Sequence, residues 1–213
     1  MATVNICGLY SLPIVGMTAF FSGAVMALQT YTGFARFAAE NTIPMVVALS
    51  ITRELAPVLT ALMVTARVGA SFAAELATMR VTEQIDALYT LSTNSIKFLI
   101  TPRILATVIS LPLLVLVADS VGVMGGYVVG IYKLNFNSSN YIINTFNYLN
   151  ASDVYSGLVK AFAFGLVISS TSCYFGYKAK DGARGVGVAS TNAVVASSVL
   201  ILLNNYLITE LLF

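Results

Sequence analysis

Long apolar runs separated by short polar connectors dominate the chain. Five runs reach the about 20 residues that cross a hydrocarbon core of about 30 Å, and they predict helices over about 12–35, 43–77, 101–132, 155–177 and 186–212. The connectors differ in character. Residues 36–42 are few. Residues 78–100, TMRVTEQIDALYTLSTNSIKFLI, hold most of the polar chemistry. Residues 133–153 are rich in Asn and nearly uncharged, and residues 178–185, KAKDGARG, are basic and Gly-rich. The pattern predicts an all-α, polytopic membrane helix bundle, a single transmembrane domain over 1–213.

A shorter amphipathic pattern lies in the second connector. Val81, Ile85 and Leu88 recur at i, i+4 and i+7, while Glu83, Asp86 and Thr90 point elsewhere. That spacing predicts a short helix over about 82–91, lying on the membrane surface rather than crossing it. Its acidic face is a candidate contact for a cytoplasmic partner.

The second span breaks the apolar rule. Between Ser50 and Leu76 it carries Arg53, Glu54, Arg67 and Glu75. On a regular helix, Arg53, Thr60, Arg67, Ser71, Glu75 and Thr78 fall within about 80° of one another, a polar stripe opposite Leu55, Leu62 and Ala73. A charge at the bilayer centre costs on the order of 2.5 kcal/mol or more, so such groups pair, or face a bundle interior or a watery cavity. Two readings stand. The stripe is a wall of a substrate pathway, favoured for Arg53 and Glu54, or a structural ion-pair network, such as Arg67 with Glu75. Lys160 in the fourth span and Asp119 in the third add polar groups. Lys160 either holds an anionic head group or snorkels to the interface.

Small residues recur every fourth position: Ala19, Gly23, Ala27 in the first span and Gly122, Gly126, Gly130 in the third. Lipid gives helices no hydrophobic drive to associate, so close backbone approach must supply the packing. An odd number of spans suits a protomer that completes its pathway by dimerising.

Composition narrows the chemistry. Charged residues make up 9% of the chain, against about 25% in soluble domains. The chain has no His and no Trp, which removes His-based acid–base catalysis and His-containing metal sites. Cys7 and Cys173 read as small buried hydrophobes, and a net charge of +2 is too small to imply a nucleic-acid partner. Arg80, Lys97, Arg103, Lys178, Lys180 and Arg184 flank one side, against Arg36 and Lys133 on the other. The bias places the second and fourth connectors and the N-terminus in the cytoplasm, and the C-terminus outside. No phosphate-binding G-x-x-x-x-G-K-[ST] occurs. ATP-driven transport would therefore need a separate ATPase chain.

The run RELAPVLTALMVTARVGASFAAELATMRVTEQIDAL (Arg53–Leu88) closely resembles the MlaE/YrbE family of ABC-transporter permeases. PRILATVISLPLL and GVGVASTNAVVASSVLILLNNYLITELLF fit the same family. The resemblance implies a bacterial inner-membrane permease that moves phospholipid or a related lipid between that membrane and the outer envelope. It implies a permease homodimer, cytoplasmic ABC ATPases carrying ATP and Mg, and an MCE-domain periplasmic or intermembrane protein. This chain would be a transport subunit without catalysis, cofactor or metal of its own. By position, the 82–91 segment resembles the coupling helix, with Arg80, Glu83, Asp86 and Leu88 as ATPase-coupling residues. Arg53, Glu54 and Lys160 match positions facing the family's lipid cavity, and Phe34 and Phe37 match apolar positions that hold acyl chains. The chain departs from the family pattern at Ala56 and Ser92, where Gly is usual, at Asn205, where an acid is common, and in a shorter N-terminal stretch. The competing function is an ion- or proton-coupled secondary transporter of a small amphipathic substrate, with Arg53, Glu54, Lys160 and Asp119 as its relay.

Overall fold

The computed structural model describes residues 8–34, 42–180 and 182–212. Seven helices form among them: α1 (Leu9–Phe34), α2 (Ile43–Val81), α3 (Gln84–Thr90), α4 (Ile96–Tyr132), α5 (Ser138–Tyr148), α6 (Ala151–Tyr177) and α7 (Gly182–Leu212). All but α3 and α5 are long and apolar enough to cross a membrane. Helix α4 begins at Ile96 rather than near 101 because Asn94 caps it. The Asn94 side-chain oxygen accepts the N–H groups of Ile96 and Lys97 at 3.1 and 3.4 Å. Pro102 therefore lies past the first turn of α4, directly after the π turn Ile96–Ile100, where it removes one intrahelical N–H donor.

Helix α2 is not regular. It contains two π turns, Ile51–Leu55 and Thr65–Gly69, each closed by an N–H reaching five residues back. A π turn inserts an extra residue, so the phase of a regular helix slips at both places. The single polar stripe expected along this span is therefore broken. Thr60 is buried, whereas Arg67, Glu75 and Thr78 are exposed.

Helix α5 lies in the Asn-rich connector 133–153, which hydropathy alone does not mark as helical. Asn137 caps it, its side chain accepting from Ser139 and Asn140 N–H. Tyr141 and Thr145, one turn apart, form its buried face. Burial pushes the Tyr141 phenol up to about 12, so it stays protonated at neutral pH.

The chain divides into two compact units. One comprises Leu12–Thr60 and Leu113–Lys160. Its core is built from small and branched side chains: Val15, Ala19, Ala27, Val47, Ile51, Val115 and Ala118. The small-residue rows of the first and third spans meet here. A Cβ on Gly23 would sit 1.9 Å from the Gly122 carbonyl oxygen, so only glycine lets α1 and α4 touch backbone to backbone.

The other unit comprises Met1–Ser11, Ala61–Pro112 and Ala161–Phe213. The later half of α2 packs along α7, with Ala73, Leu76, Ala77, Ala189 and Ala193 buried. Hydroxyls supplement this apolar packing: Ser190 Oγ donates to the Ala70 carbonyl at 3.2 Å, and the Thr171 and Ser197 hydroxyls share a hydrogen bond. Ile85 anchors α3, fully buried between half-buried Val81 and Leu88, as the i, i+4, i+7 pattern predicts.

Candidate functional site

The first π turn of α2 carries Arg53 and Glu54. Two residues further on, Pro57 has no N–H to give to the carbonyl of Arg53, four residues before it. Asp153, Gly157 and Lys160 face this segment from α6, at i, i+4 and i+7 on one side of that helix. Gly157 makes the approach possible, since a Cβ there would lie 2.7 Å from the Thr52 carbonyl oxygen.

Two ion pairs close the cluster. Arg53 donates through Nε at 2.8 Å and through a terminal nitrogen at 2.5 Å to the same Asp153 oxygen. The second Asp153 oxygen accepts the Asn150 N–H at 3.0 Å. Asp153 sits in the first turn of α6, where the helix dipole favours an anion. Lys160 Nζ donates to Glu54 Oε1 at 2.7 Å and to the Arg53 carbonyl at 2.9 Å. The Lys160 ammonium thus serves the carbonyl that Pro57 leaves open.

Charge and exposure are unequally divided. The Asp153 and Lys160 side chains are both 0% exposed, while those of Arg53 and Glu54 are 35% and 38% exposed. Each buried ion has a partner of opposite sign, which offsets the cost of its desolvation. The exposed portion is a guanidinium beside a carboxylate, both held from behind. Such a pair can donate to an anionic group and accept from a cationic one.

Residues 1–211 match the family model described as Permease MlaE. The chain belongs to the MlaE permease family. It is 66% identical over 206 residues to a probable ABC transporter permease protein of Rickettsia typhi, covering 97% of this chain and 80% of the relative. A probable ABC transporter permease protein of Synechocystis sp. is 40% identical over 210 residues, 99% of this chain and 80% of the relative. One from Porphyra purpurea is 38% identical over 192 residues, 90% of this chain and 73% of the relative. The protein is a multi-pass membrane permease subunit of an ABC transporter.

The permease brings Arg53, Glu54 and Lys160 together, but Lys160 is wholly enclosed and meets the other two through the Glu54 carboxylate and the Arg53 carbonyl. Phe34 ends α1 and is exposed, and the hydrogen bonds and ion pairs of the cluster do not involve it. Phe37 lies outside the described residues. Asp119 is buried in α4, with neither carboxylate oxygen hydrogen-bonded. The expected Arg67–Glu75 pair does not form. Glu75 instead accepts from Arg103 at 2.9 Å and from Ser71 at 3.1 Å, and the Arg67 guanidinium lies over the Tyr10 ring.

At α3, Arg80 donates to Asp86 at 2.7 Å. Glu83 is exposed at the turn into the helix, with φ +59°. Leu88 and Ile85 line a cavity of about 210 Å³ with Phe98 and Leu99. Asp153 is the site residue that sequence reasoning passed over. Its signal was present, seven residues before Lys160 and on the same helical face.

Proposed function

We propose that this permease carries phospholipid, or a lipid of similar build, between the bacterial inner membrane and the outer envelope. The observation that supports this most directly is the division within the cluster. Asp153 and Lys160 are buried counter-ions, and Arg53 and Glu54 keep about a third of their side chains open, 35% and 38%. The guanidinium edge suits a lipid phosphate, bound through charge-assisted hydrogen bonds. Phe34, exposed at the end of α1, supplies apolar surface for acyl chains, and the family resemblance adds Phe37 to that role.

In this reading two copies of the permease enclose the lipid path. The N-terminus and the α3 connector face the cytoplasm, and the C-terminus faces outward. Arg80, Glu83, Asp86 and Leu88 form the coupling contact with a cytoplasmic ABC ATPase, which binds ATP and Mg. An MCE-domain protein receives or delivers the lipid on the far side. Hydrolysis on the partner closes the cavity and expels the lipid, with no covalent change in it.

The test uses the complete complex in proteoliposomes. Arg53→Lys keeps the charge opposite Asp153 but removes the forked guanidinium. Transfer of labelled phospholipid to the MCE-domain partner is expected to fall about tenfold, the equivalent of one charge-assisted hydrogen bond. Glu54→Gln is expected to act in the same direction. Unchanged transfer in both variants, with the ATPase still bound, would overturn this reading.

A further inference from the structure

A second polar site lies in the unit that does not contain the Arg53 cluster. Between the end of α6 and the start of α7 the structure holds a cavity of about 430 Å³. Lys178, Lys180 and Arg184 line it together with Phe175, Val188 and Asn192. Three cations therefore converge on one concave space. The segment 178–184 contains a single acid, Asp181, against them.

The backbone is shaped to produce this convergence. Gly182 turns the chain with φ +62°, a conformation that side-chain-bearing residues rarely adopt. At Gly185 a Cβ would lie 1.5 Å from the Lys180 carbonyl oxygen. Only glycine at 185 lets the first turn of α7 press against Lys180, and this is what sets Arg184 and Lys180 on one cavity. Lys178 is held in place as well. Its ammonium donates to the Tyr174 hydroxyl at 2.8 Å and stands 4.6 Å from the centre of that ring. An ammonium has three N–H donors, so at least one further donor remains for a ligand.

The position bears on the ligand. The cavity joins the ends of two helices long and apolar enough to cross a membrane, which would set it near the level of the lipid head groups. One wall is apolar, through Phe175 and Val188, and the rim is cationic. A phosphate on the rim with glycerol and upper acyl carbons on the wall would satisfy both surfaces. We infer that Lys178, Lys180 and Arg184 form a binding site for the phosphate group of an anionic membrane phospholipid, separate from the transport cluster. Such a site would let the charge of the surrounding leaflet bias the α6–α7 junction. Soluble phosphate shares the recognising chemistry, and the test separates the two sources.

The intact complex is placed in nanodiscs of phosphatidylcholine alone or phosphatidylcholine with phosphatidylglycerol. Lysine acetylation is then followed by peptide mass spectrometry, with Lys97 as the internal reference. Phosphatidylglycerol is expected to slow acetylation of Lys180 and Lys178 relative to Lys97. In Lys180→Gln/Arg184→Gln the phosphatidylglycerol needed to protect Lys178 is expected to rise about thirtyfold, or about fivefold for each cation removed. Lys180→Arg/Arg184→Lys keeps both charges and is expected to retain protection. Protection of the wild type by millimolar inorganic phosphate in phosphatidylcholine discs, with none from phosphatidylglycerol, would support the phosphate site but assign it a soluble ligand. Equal labelling of wild type under every condition overturns the inference, whether or not the variants fold. So does loss of the ATPase from the double variant with lipid protection intact, which would make the cations a protein-docking surface.

Discussion

Lys160 donates to the carbonyl of Arg53 at 2.9 Å, the acceptor that Pro57 cannot serve from within its own helix. One ammonium thereby repairs a backbone defect in α2 and neutralises Glu54 at the same time. The arrangement makes Lys160 a positioning residue. It holds the π turn that presents Arg53 and Glu54, and it is itself shut away from any ligand.

Replacing Lys160 by Met would leave the Glu54 carboxylate and the Arg53 carbonyl without that donor. Breaking a buried pair by removing one partner costs several kcal/mol, and partial hydration of Glu54 reduces the loss to about 2–3 kcal/mol. Glu54→Gln in the Lys160→Met background is expected to recover part of it. Melting can be followed with a thiol-reactive dye, because Cys173 is buried and becomes accessible on unfolding. Additive effects of the two substitutions would show that the pair is not coupled.

Gly157 gives a steric version of the same test. A Cβ would meet the Thr52 carbonyl oxygen at 2.7 Å, and neither backbone can move without disturbing the Asp153 and Lys160 contacts. Gly157→Ala is expected to destabilise by about 1–3 kcal/mol, the usual cost of overpacking. Gly16 has nothing within 4 Å of a built Cβ, so Gly16→Ala is expected to be neutral or stabilising by up to about 1 kcal/mol. Equal melting temperatures for the two variants would count against a close α2–α6 contact.

How much of this was readable in the chain depended on which physical signal each feature leaves. The crossing helices were legible because hydropathy over a long window is a summed quantity that no single residue can spoil. Arg53, Glu54 and Lys160 stood out because ions in such windows are costly. The π turns left no compositional mark, and so the stripe drawn through Thr60 and Arg67 on a regular helix did not survive them. Asp153 ends the polar 133–153 connector, where no hydropathy signal ties it to Lys160 seven residues on. Arg103 served only as a sign of orientation, although its guanidinium also takes Glu75 at 2.9 Å and lies 5.5 Å from the Phe72 ring centre. In the 133–153 segment, Asn enrichment marks a polar connector without showing that Asn137 caps a helix within it.

Ser92 illustrates a departure with a measurable consequence. It follows α3 with φ +57°. Its N–H bonds the Tyr89 carbonyl and the Thr93 N–H bonds the Leu88 carbonyl, both at 3.0 Å. This is the Schellman arrangement, which favours glycine at the left-handed position. Ser92→Gly is expected to stabilise the permease by about 0.5–1 kcal/mol through relief of the left-handed conformation. A lowered melting temperature would mean that the Ser92 side chain contributes something its backbone geometry does not show.

The strongest demand falls on α3. Arg80 and Asp86 pair at 2.7 Å, both at least partly exposed, and a surface pair of this kind contributes about 0–1 kcal/mol to folding. Disrupting it should therefore leave the permease folded while changing the charge offered to the ATPase. Asp86→Lys together with Glu83→Lys is expected to abolish co-purification of the ATPase, with little change in melting temperature. A swapped variant, Arg80→Asp with Asp86→Arg, restores the local pair but inverts the pattern seen by a partner. If α3 docks through these charges, the swapped variant also loses the ATPase. If the charges serve only to hold α3 against its own chain, the swap rescues binding. Retention of the ATPase by the doubly reversed variant would remove the acidic face of α3 from the coupling contact altogether.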